Sequence, residues 1–567
     1  MIGKAMARTA RTLSGLGLTL GALFFAASLT PSLVPRTYLT QGVLAGTCFA
    51  LGYGLGAGWR RLWAYLELPA LPERWRRAGN AVAGAVCLAV AASFLWRAAG
   101  WQNSIRSAMA MPPVETAHPL KLCLVALATF AALLALARLF RLIAGLIAAR
   151  LGRAIPPRLA KVLGLMVAAV LFWSLANGVL VRATFRVLDS SFREYDALIE
   201  PERPQPDDPQ QSGSASSLLR WRELGRAGRE FVASRPLASD IAAVTGRPAR
   251  QPLRLYVGLR AAGTAQARAR LALAELKRAG GFERAVLVVI TPTGTGWIDP
   301  SAMNAVEYLH DGDVASIALQ YSYLSSPLSL LAQPDYGAEA ARALFDEIYR
   351  YWTTLPHDGR PRLYLHGLSL GAMNSERSAE LFEMIGDPVD GALWSGPPFG
   401  SRLWRSFTEG RNPGTPAWLP TFRDGRFVRF MNQQGGTLPA RQPWGAMRVV
   451  YLQYASDAVT FFDYRDFYRA PAWLDAPRGP DVSPRLRWYP VVTALQLALD
   501  MAFATTTPMG YGHVYAPRDY IDAWVAVTAP RGWSAETLER LKRRLSDEAE
   551  RGSGSGQDDA GYGNRGG

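Results

Sequence analysis

Acidic side chains are almost missing from the first third of this 567-residue chain: residues 1–185 hold 19 Lys and Arg against 3 Asp and Glu. The remaining 43 basic and 43 acidic residues balance over 186–567, so the net charge of +16 lies wholly upstream. An excess confined among apolar segments follows the positive-inside rule rather than a phosphate-binding surface, so no nucleic-acid partner is expected. Cysteine is equally sparse. Cys48, Cys87 and Cys123 all sit in apolar stretches, which excludes a disulfide framework and leaves no zinc-ligand spacing; neither metal nor cofactor is expected. There are only five histidines, which narrows where a general base can come from.

What the first third does contain is apolar length. Five stretches approach the roughly 20 residues that a membrane crossing needs: 12–30, 39–58, 79–96, 119–137 and 160–181. None has an ionisable residue near its centre, which argues against a transporter and for an anchor. The first resembles a signal peptide, but four further stretches follow it, so it reads as a retained helix. Residues 139–151 (FRLIAGLIAARLG) read as an amphipathic interfacial segment, too short to span. Fourteen basic residues fall on one side of this arrangement, among them Lys4, Arg60, Arg61, Arg74 and Arg141, against five on the other. That bias puts the N-terminus in the cytoplasm, and five crossings put everything after about residue 185 on the far side.

Residues 200–217 (EPERPQPDDPQQSGSASS) have the composition of a flexible linker, and the tail from Arg551 that of a disordered end. The expected division is therefore a transmembrane helical domain at 1–185, a linker at 186–220, a soluble domain at 221–550 and a tail at 551–567. Within the soluble domain strand-like and helix-like stretches alternate. Strands are expected at 253–259, 285–290, 314–320, 363–365, 391–394 and 449–454, with helices at 265–278, 301–309, 338–351 and about 518–527. Alternation of this kind predicts a mostly parallel sheet with helices on both faces. The irregular stretch 396–446, rich in Gly, Pro, Trp and Arg, is a lid candidate.

The most telling segment is PRLYLHGLSLGAMNSE, 361–376. Gly367-Leu368-Ser369-Leu370-Gly371 stands between a strand and a helix, the G-x-S-x-G pattern in which small flanking residues let strand and helix meet at a sharp turn. Ser369 needs a base, and the base needs a carboxylate. His118 lies between apolar stretches. His366 adjoins the serine on its own strand, too constrained to reach round to it. His310 and His357 read as surface residues. His513, in a glycine-flanked loop (GYGHVY), remains. Asp457 follows the strand 449–454 directly. The backbone N–H of Leu370 and the loop Thr293-Gly294-Thr295-Gly296 offer an oxyanion hole. No Lys-Ser/Thr pair follows those glycines, which excludes a phosphate loop.

With these residues in view the chain resembles a bacterial membrane-anchored α/β-hydrolase family that has a multi-span N-terminal domain and a C-terminal hydrolase domain. The similar segments are TPTGTGWIDP (291–300), GDVASIALQYSYL (312–324), GLSLGA (367–372), DGALWSGPPFG (390–400), YLQYASDAV (451–459) and YGHVY (511–515). The order Ser369, Asp457, His513 is the order of that fold. The resemblance implies Ser369 as nucleophile with Asp457 and His513 as partners; Ala458 stands where relatives commonly have proline. The expectation is an α/β fold behind an all-α transmembrane domain in the cytoplasmic membrane, with the soluble domain outside. Its partners would be the lipid bilayer and a small-molecule or lipid acyl substrate, cleaved at an ester or thioester bond. Acyl transfer by the same residues, or a non-catalytic scaffold on an anchor, are the alternatives.

Overall fold

A computed structural model describes residues 14–69, 72–175, 194, 196–200, 203–324, 329, 335–379, 384, 386–436 and 442–561. The chain divides into two units, and the division does not follow its order. One unit takes residues 1–183 and also 462–508; the other takes 184–461 and 509–567.

In the first unit, helices run Gly15–Ser28, Tyr38–Tyr65, Glu73–Ala108, Pro119–Leu151 and Pro157–Ser174. Among the described residues, the last three are long and apolar enough to cross a membrane. Gly15–Ser28 has 14 residues, too few for a hydrocarbon core about 30 Å thick. Tyr38–Tyr65 has the length, with 28 residues, but its glycines make it a packing helix. A Cβ on Gly52 would lie 2.5 Å from the Leu20 carbonyl oxygen, and one on Gly56 2.6 Å from that of Leu16, so only glycine lets these two helices approach so closely. Residues 139–151, expected as a separate interfacial segment, are the continuation of Pro119–Leu151, because no breaker interrupts the helical pattern at 138. The expected stretch 160–181 is helical to Ser174; residues 176–181 lie outside the described ones.

The segment 462–508 was expected inside the soluble domain and instead packs into this first unit. Its helix Val492–Ala502 lays Val492, Leu495 and Leu499 against Phe24, Leu44 and Cys48. One ion pair pins it: Arg36 Nη2 lies 2.8 Å from Asp500 Oδ1, with the two side chains only 3% and 1% exposed. Asp500 Oδ2 also accepts from the Leu33 backbone N–H at 2.9 Å, and Gln496 Nε2 donates to the carbonyls of Ser28 and Thr30. Neither this helix nor the role of its polar residues, which bond a loop some 460 positions away, was expected from the sequence.

The second unit is built on an eight-stranded sheet: β1 Leu253–Val257, β2 Val286–Thr291, β3 Val314–Leu319, β4 Arg362–Leu368, β5 Gly391–Ser395, β6 Val428–Asn432, β7 Gly435–Gly436 and β8 Arg448–Leu452. The order is β1-β3-β2-β4-β5-β8-β6-β7, parallel throughout except for the short β6–β7 pair. β1 to β5 and β8 answer the expected strands, and the helices Ala265–Arg278, Pro300–Leu309, Tyr336–Trp352 and Pro517–Thr528 answer the expected helices. β1, β2, β3 and β5 are buried along their whole length, which is why they read as unbroken apolar runs. The exception in β1, Arg254, is fully buried and satisfied by Glu307, whose carboxylate it meets through Nε and Nη2, each at 2.8 Å.

Three further expectations need correction. The stretch 396–446 is not simply a lid: β6 and β7 within it extend the sheet beside β8, and residues 437–441 lie outside the described ones. Of the expected linker, the described part from 203 is packed, because its polar side chains bond the sheet edge. Gln211 Nε2 donates to the Pro252 carbonyl at 3.0 Å, and the Tyr256 N–H donates to Ser212 Oγ at 3.2 Å. The tail from 551 continues the helix Ala535–Gly561.

Removing one partner of a buried ion pair strands the other charge, at a cost of about 3–5 kcal/mol. Arg36→Ala or Asp500→Ala should therefore lower the melting temperature in detergent and open 462–508 to limited proteolysis. Cleavage no faster than in the parent would refute the pinning role.

Candidate active site

The serine sits where two adjacent strands end together. β2 and β4 run side by side with Thr291 opposite Gly367, and they lie where the strand order reverses, between β3 on one side and β5 on the other. In open parallel sheets the crevice at the carboxyl ends of strands at such a point is where ligands bind. Ser369 follows β4 and starts the helix Leu370–Ser378 with φ +57° and ψ −125°. A non-glycine residue pays about 1–3 kcal/mol for such a conformation. Two glycines make it attainable. A Cβ on Gly367 would meet the Gly371 backbone at 2.4 Å, and one on Gly371 the Thr291 carbonyl oxygen at 2.2 Å. The Ser369 N–H is held by the Ser395 carbonyl at 2.9 Å, tying the turn to the end of β5.

Ser395 leads to Gly396, and there the sequence-predicted base arrives. A Cβ on Gly396, whose φ is +50°, would lie 2.7 Å from His513 Cε1 and 2.9 Å from Tyr515 Cε2. The imidazole thus packs on the backbone next to the residue that holds Ser369. His513 Nδ1 lies 2.7 Å from Asp457 Oδ2. Asp457, fully buried just past β8, is met by four donors: His513 Nδ1, Tyr515 Oη at 2.8 Å, the Val459 N–H at 2.9 Å and Thr460 Oγ1 at 3.3 Å. A carboxylate accepts from all four, so Nδ1 bears the imidazole proton and Nε2 carries the lone pair. Nε2 is buried and bonded to no group among the described residues.

The 293–296 loop follows β2 as expected, but its own turn uses part of the expected oxyanion set. The Thr293 N–H donates to the Trp297 carbonyl at 3.0 Å, and the Gly296 N–H to the Thr293 carbonyl at 2.9 Å. These bonds occupy the N–H groups of Thr293 and Gly296, while Gly294 is engaged elsewhere and the Thr295 carbonyl accepts from Gln320. Leu370, first residue of its helix, has no intrahelical acceptor for its N–H. Of the five expected donors, Leu370 and Thr295 therefore fit best.

The other histidines are structural. His366 Nδ1 is bonded to the Leu393 carbonyl at 2.8 Å, and burial pulls its pKa down to about 4, so it stays neutral. His310, expected at the surface, is instead tucked against Thr528 Oγ1 at 2.9 Å, and burial, aided by the Arg362 charge, pulls its pKa down to about 3. Sequence reasoning missed Tyr515, Gly396 and Asp299. All three lie in segments singled out above, yet nothing in their pattern told which atoms they would face. Asp299 ends the oxyanion loop and caps the helix Pro300–Leu309 through the Ser301 N–H at 2.9 Å. Burial pushes its carboxyl up to about 6, partly offset by hydrogen bonds from Ser301 and Tyr520 and by the nearby His513. Among the described residues, no group of three or more His, Cys, Asp or Glu side chains could hold a metal ion.

This arrangement holds what acyl transfer through a covalent serine adduct requires: a serine hydroxyl at the end of the sheet, an oriented imidazole and backbone N–H groups of the adjoining helix start.

Gly396→Ala should cost about 1–2 kcal/mol of stability from the left-handed conformation. It should also push the imidazole away, lengthening the His513–Asp457 contact beyond hydrogen-bond range in a structure of the variant. An undisturbed 2.7 Å contact would show that the ring does not depend on this glycine.

A family model described as an alpha/beta-hydrolase family matches residues 253–541, and one described as the N-terminus of an alpha/beta-hydrolase family matches residues 29–236. Neither the curated proteins nor the solved structures contain a match.

Proposed function

Because the chain belongs to an α/β-hydrolase family, whose model spans half of it, we propose that it is a membrane-tethered serine hydrolase that cleaves ester or thioester bonds of lipid-like or envelope substrates. The observation that carries this reading is the 2.7 Å pairing of Asp457 with His513, next to a serine held at positive φ on the end of a neighbouring strand.

In this reading His513 Nε2 takes the proton of Ser369 Oγ as the oxygen attacks the substrate carbonyl. The Leu370 N–H and an N–H of the 293–296 loop stabilise the resulting oxyanion, each worth a few kcal/mol in the transition state. Asp457 holds the imidazole in its productive tautomer and stabilises the imidazolium. The imidazolium then gives its proton to the departing alcohol or thiol, leaving an acyl-serine. Water, deprotonated in turn by His513, hydrolyses that ester and frees the enzyme. The apolar helices of the first unit keep the site near amphiphilic substrate, and the aromatic residues between 394 and 461 suit an acyl chain.

A fluorophosphonate probe should label the wild-type protein. Ser369→Ala should abolish labelling, and His513→Ala should slow it about a thousandfold or more. A folded wild-type protein that resists the probe would overturn the hydrolase reading.

The basic bias of the short loops supports a site on the outer side of the cytoplasmic membrane. All three cysteines lie in the first third of the chain, so a cysteine-free background with Arg270→Cys reports on the hydrolase unit alone. A membrane-impermeant maleimide should modify it in intact cells. Modification only after permeabilisation would put the site in the cytoplasm.

A further inference from the structure

The loop that brings His513 brings a second group to the same carboxylate. Tyr515 Oη donates to Asp457 Oδ2 at 2.8 Å, the oxygen that His513 Nδ1 meets at 2.7 Å. Tyr515 is two residues beyond the histidine, so one short loop supplies the base and a clamp on its acid. Its ring is fixed independently: it stacks on Tyr454 with centroids 4.5 Å apart and planes 21° from parallel. It also meets the His513 ring edge-on, with centroids 5.9 Å apart. The loop is fastened at several points by bonds that do not involve the triad. The Gly512 N–H donates to Ser456 Oγ at 2.9 Å, the Ala516 N–H to Tyr454 Oη at 3.0 Å, and Gln433 Nε2 to the Gly510 carbonyl at 2.9 Å.

We propose that Tyr515 is a positioning residue of the hydrolytic reaction: through its phenol it fixes the Asp457 carboxylate and moderates the basicity that Asp457 confers on His513. The proposal rests on the serine-hydrolase reading above. A donor to Oδ2 draws off part of the negative charge that would otherwise favour the imidazolium. The phenol can fill this role because burial, and then the charge of Asp457 itself, holds its pKa well above the ordinary tyrosine range, so the proton stays on the oxygen. The site therefore trades some basicity for orientation, and a stronger base in a looser position is the expected result of removing the hydroxyl.

Tyr515→Phe keeps the ring and its stacking and deletes only the bond to Asp457. The titratable groups facing this region are Asp457 and His513 themselves, Asp299 at the head of the helix Pro300–Leu309, the phenols of Tyr454 and Tyr520, and Asp519. Asp519 accepts from Tyr454 Oη, and burial pushes its carboxyl up to about 6, so an Asp519→Asn background is included. Asp299 ionises in the same range as an imidazole, so the comparison is made in Asp299→Asn as well as in the parent background.

The experiment measures the rate of fluorophosphonate labelling of Ser369 from pH 5 to 9 in the full-length protein in detergent, with a melting curve for each variant. Removing the donor raises the pKa of His513, so the acid limb of the profile should move up by roughly one pH unit. Labelling near pH 6 should fall about tenfold or more, with partial recovery at pH 9. A loss equal at every pH would mean that Tyr515 only supports the fold, and an acid limb shared with the parent would mean that its hydroxyl does not reach the base; either overturns the proposal. A wild-type protein that takes no label fails at the earlier step and overturns the hydrolase reading instead.

Discussion

A serine held at φ +57° stores about 1–3 kcal/mol of backbone strain, and the sheet around Ser369 is arranged to keep it there. Glycine is needed on both sides, since Gly367 faces the Gly371 backbone and Gly371 faces the Thr291 carbonyl at distances no Cβ tolerates. That closeness draws the helix Leu370–Ser378 onto the end of β2, and so brings the 293–296 loop beside the first N–H groups of the helix. The bond from the Ser369 N–H to the Ser395 carbonyl extends the same constraint to β5, and Gly396 passes it on to the His513 ring. Ser369, the 293–296 loop and His513 are thus placed by one close approach of strand and helix rather than by separate devices.

Around this turn, apolar residues build and polar residues decide. The strands flanking the serine are buried and make the sheet rigid. The buried polar groups in the sheet and just beyond its strand ends have fixed partners. Arg254 answers Glu307, His366 answers the Leu393 carbonyl, and Asp457 collects four donors. Asp457 differs from the others in being held both by residues just downstream of it and by the His513 loop, so several bonds fix its orientation.

The strands that lead to Ser369 and Asp457 were legible in the sequence because they, and the serine turn, have local signatures. β2, for instance, is an unbroken run of Val, Leu and Ile, and the serine turn needs small residues at fixed offsets. What escaped had no local signature. Gln211 and Ser212 sit in a stretch with the composition of a linker, yet they satisfy backbone groups at the edge of β1, a role set by partners some 40 positions away. β6 is interrupted by an arginine and a methionine, and it joins the sheet only because β8 offers a free edge in parallel register. The helix Val492–Ala502 was not expected from the sequence, and only its packing tells which apolar partner it has.

That helix has a consequence for how this protein can be divided. The chain leaves the hydrolase unit four residues past Asp457 and returns four residues before His513, and everything between belongs to the unit made by the first third. A boundary drawn at the apparent linker would therefore not separate two modules. It would sever Val492, Leu495 and Asp500 from the surface that completes them, and leave an unsupported span joining the acid to the base. The two units are interleaved in the chain as well as linked by it, so domain exchange between relatives would have to carry residues 1–183 and 462–508 together.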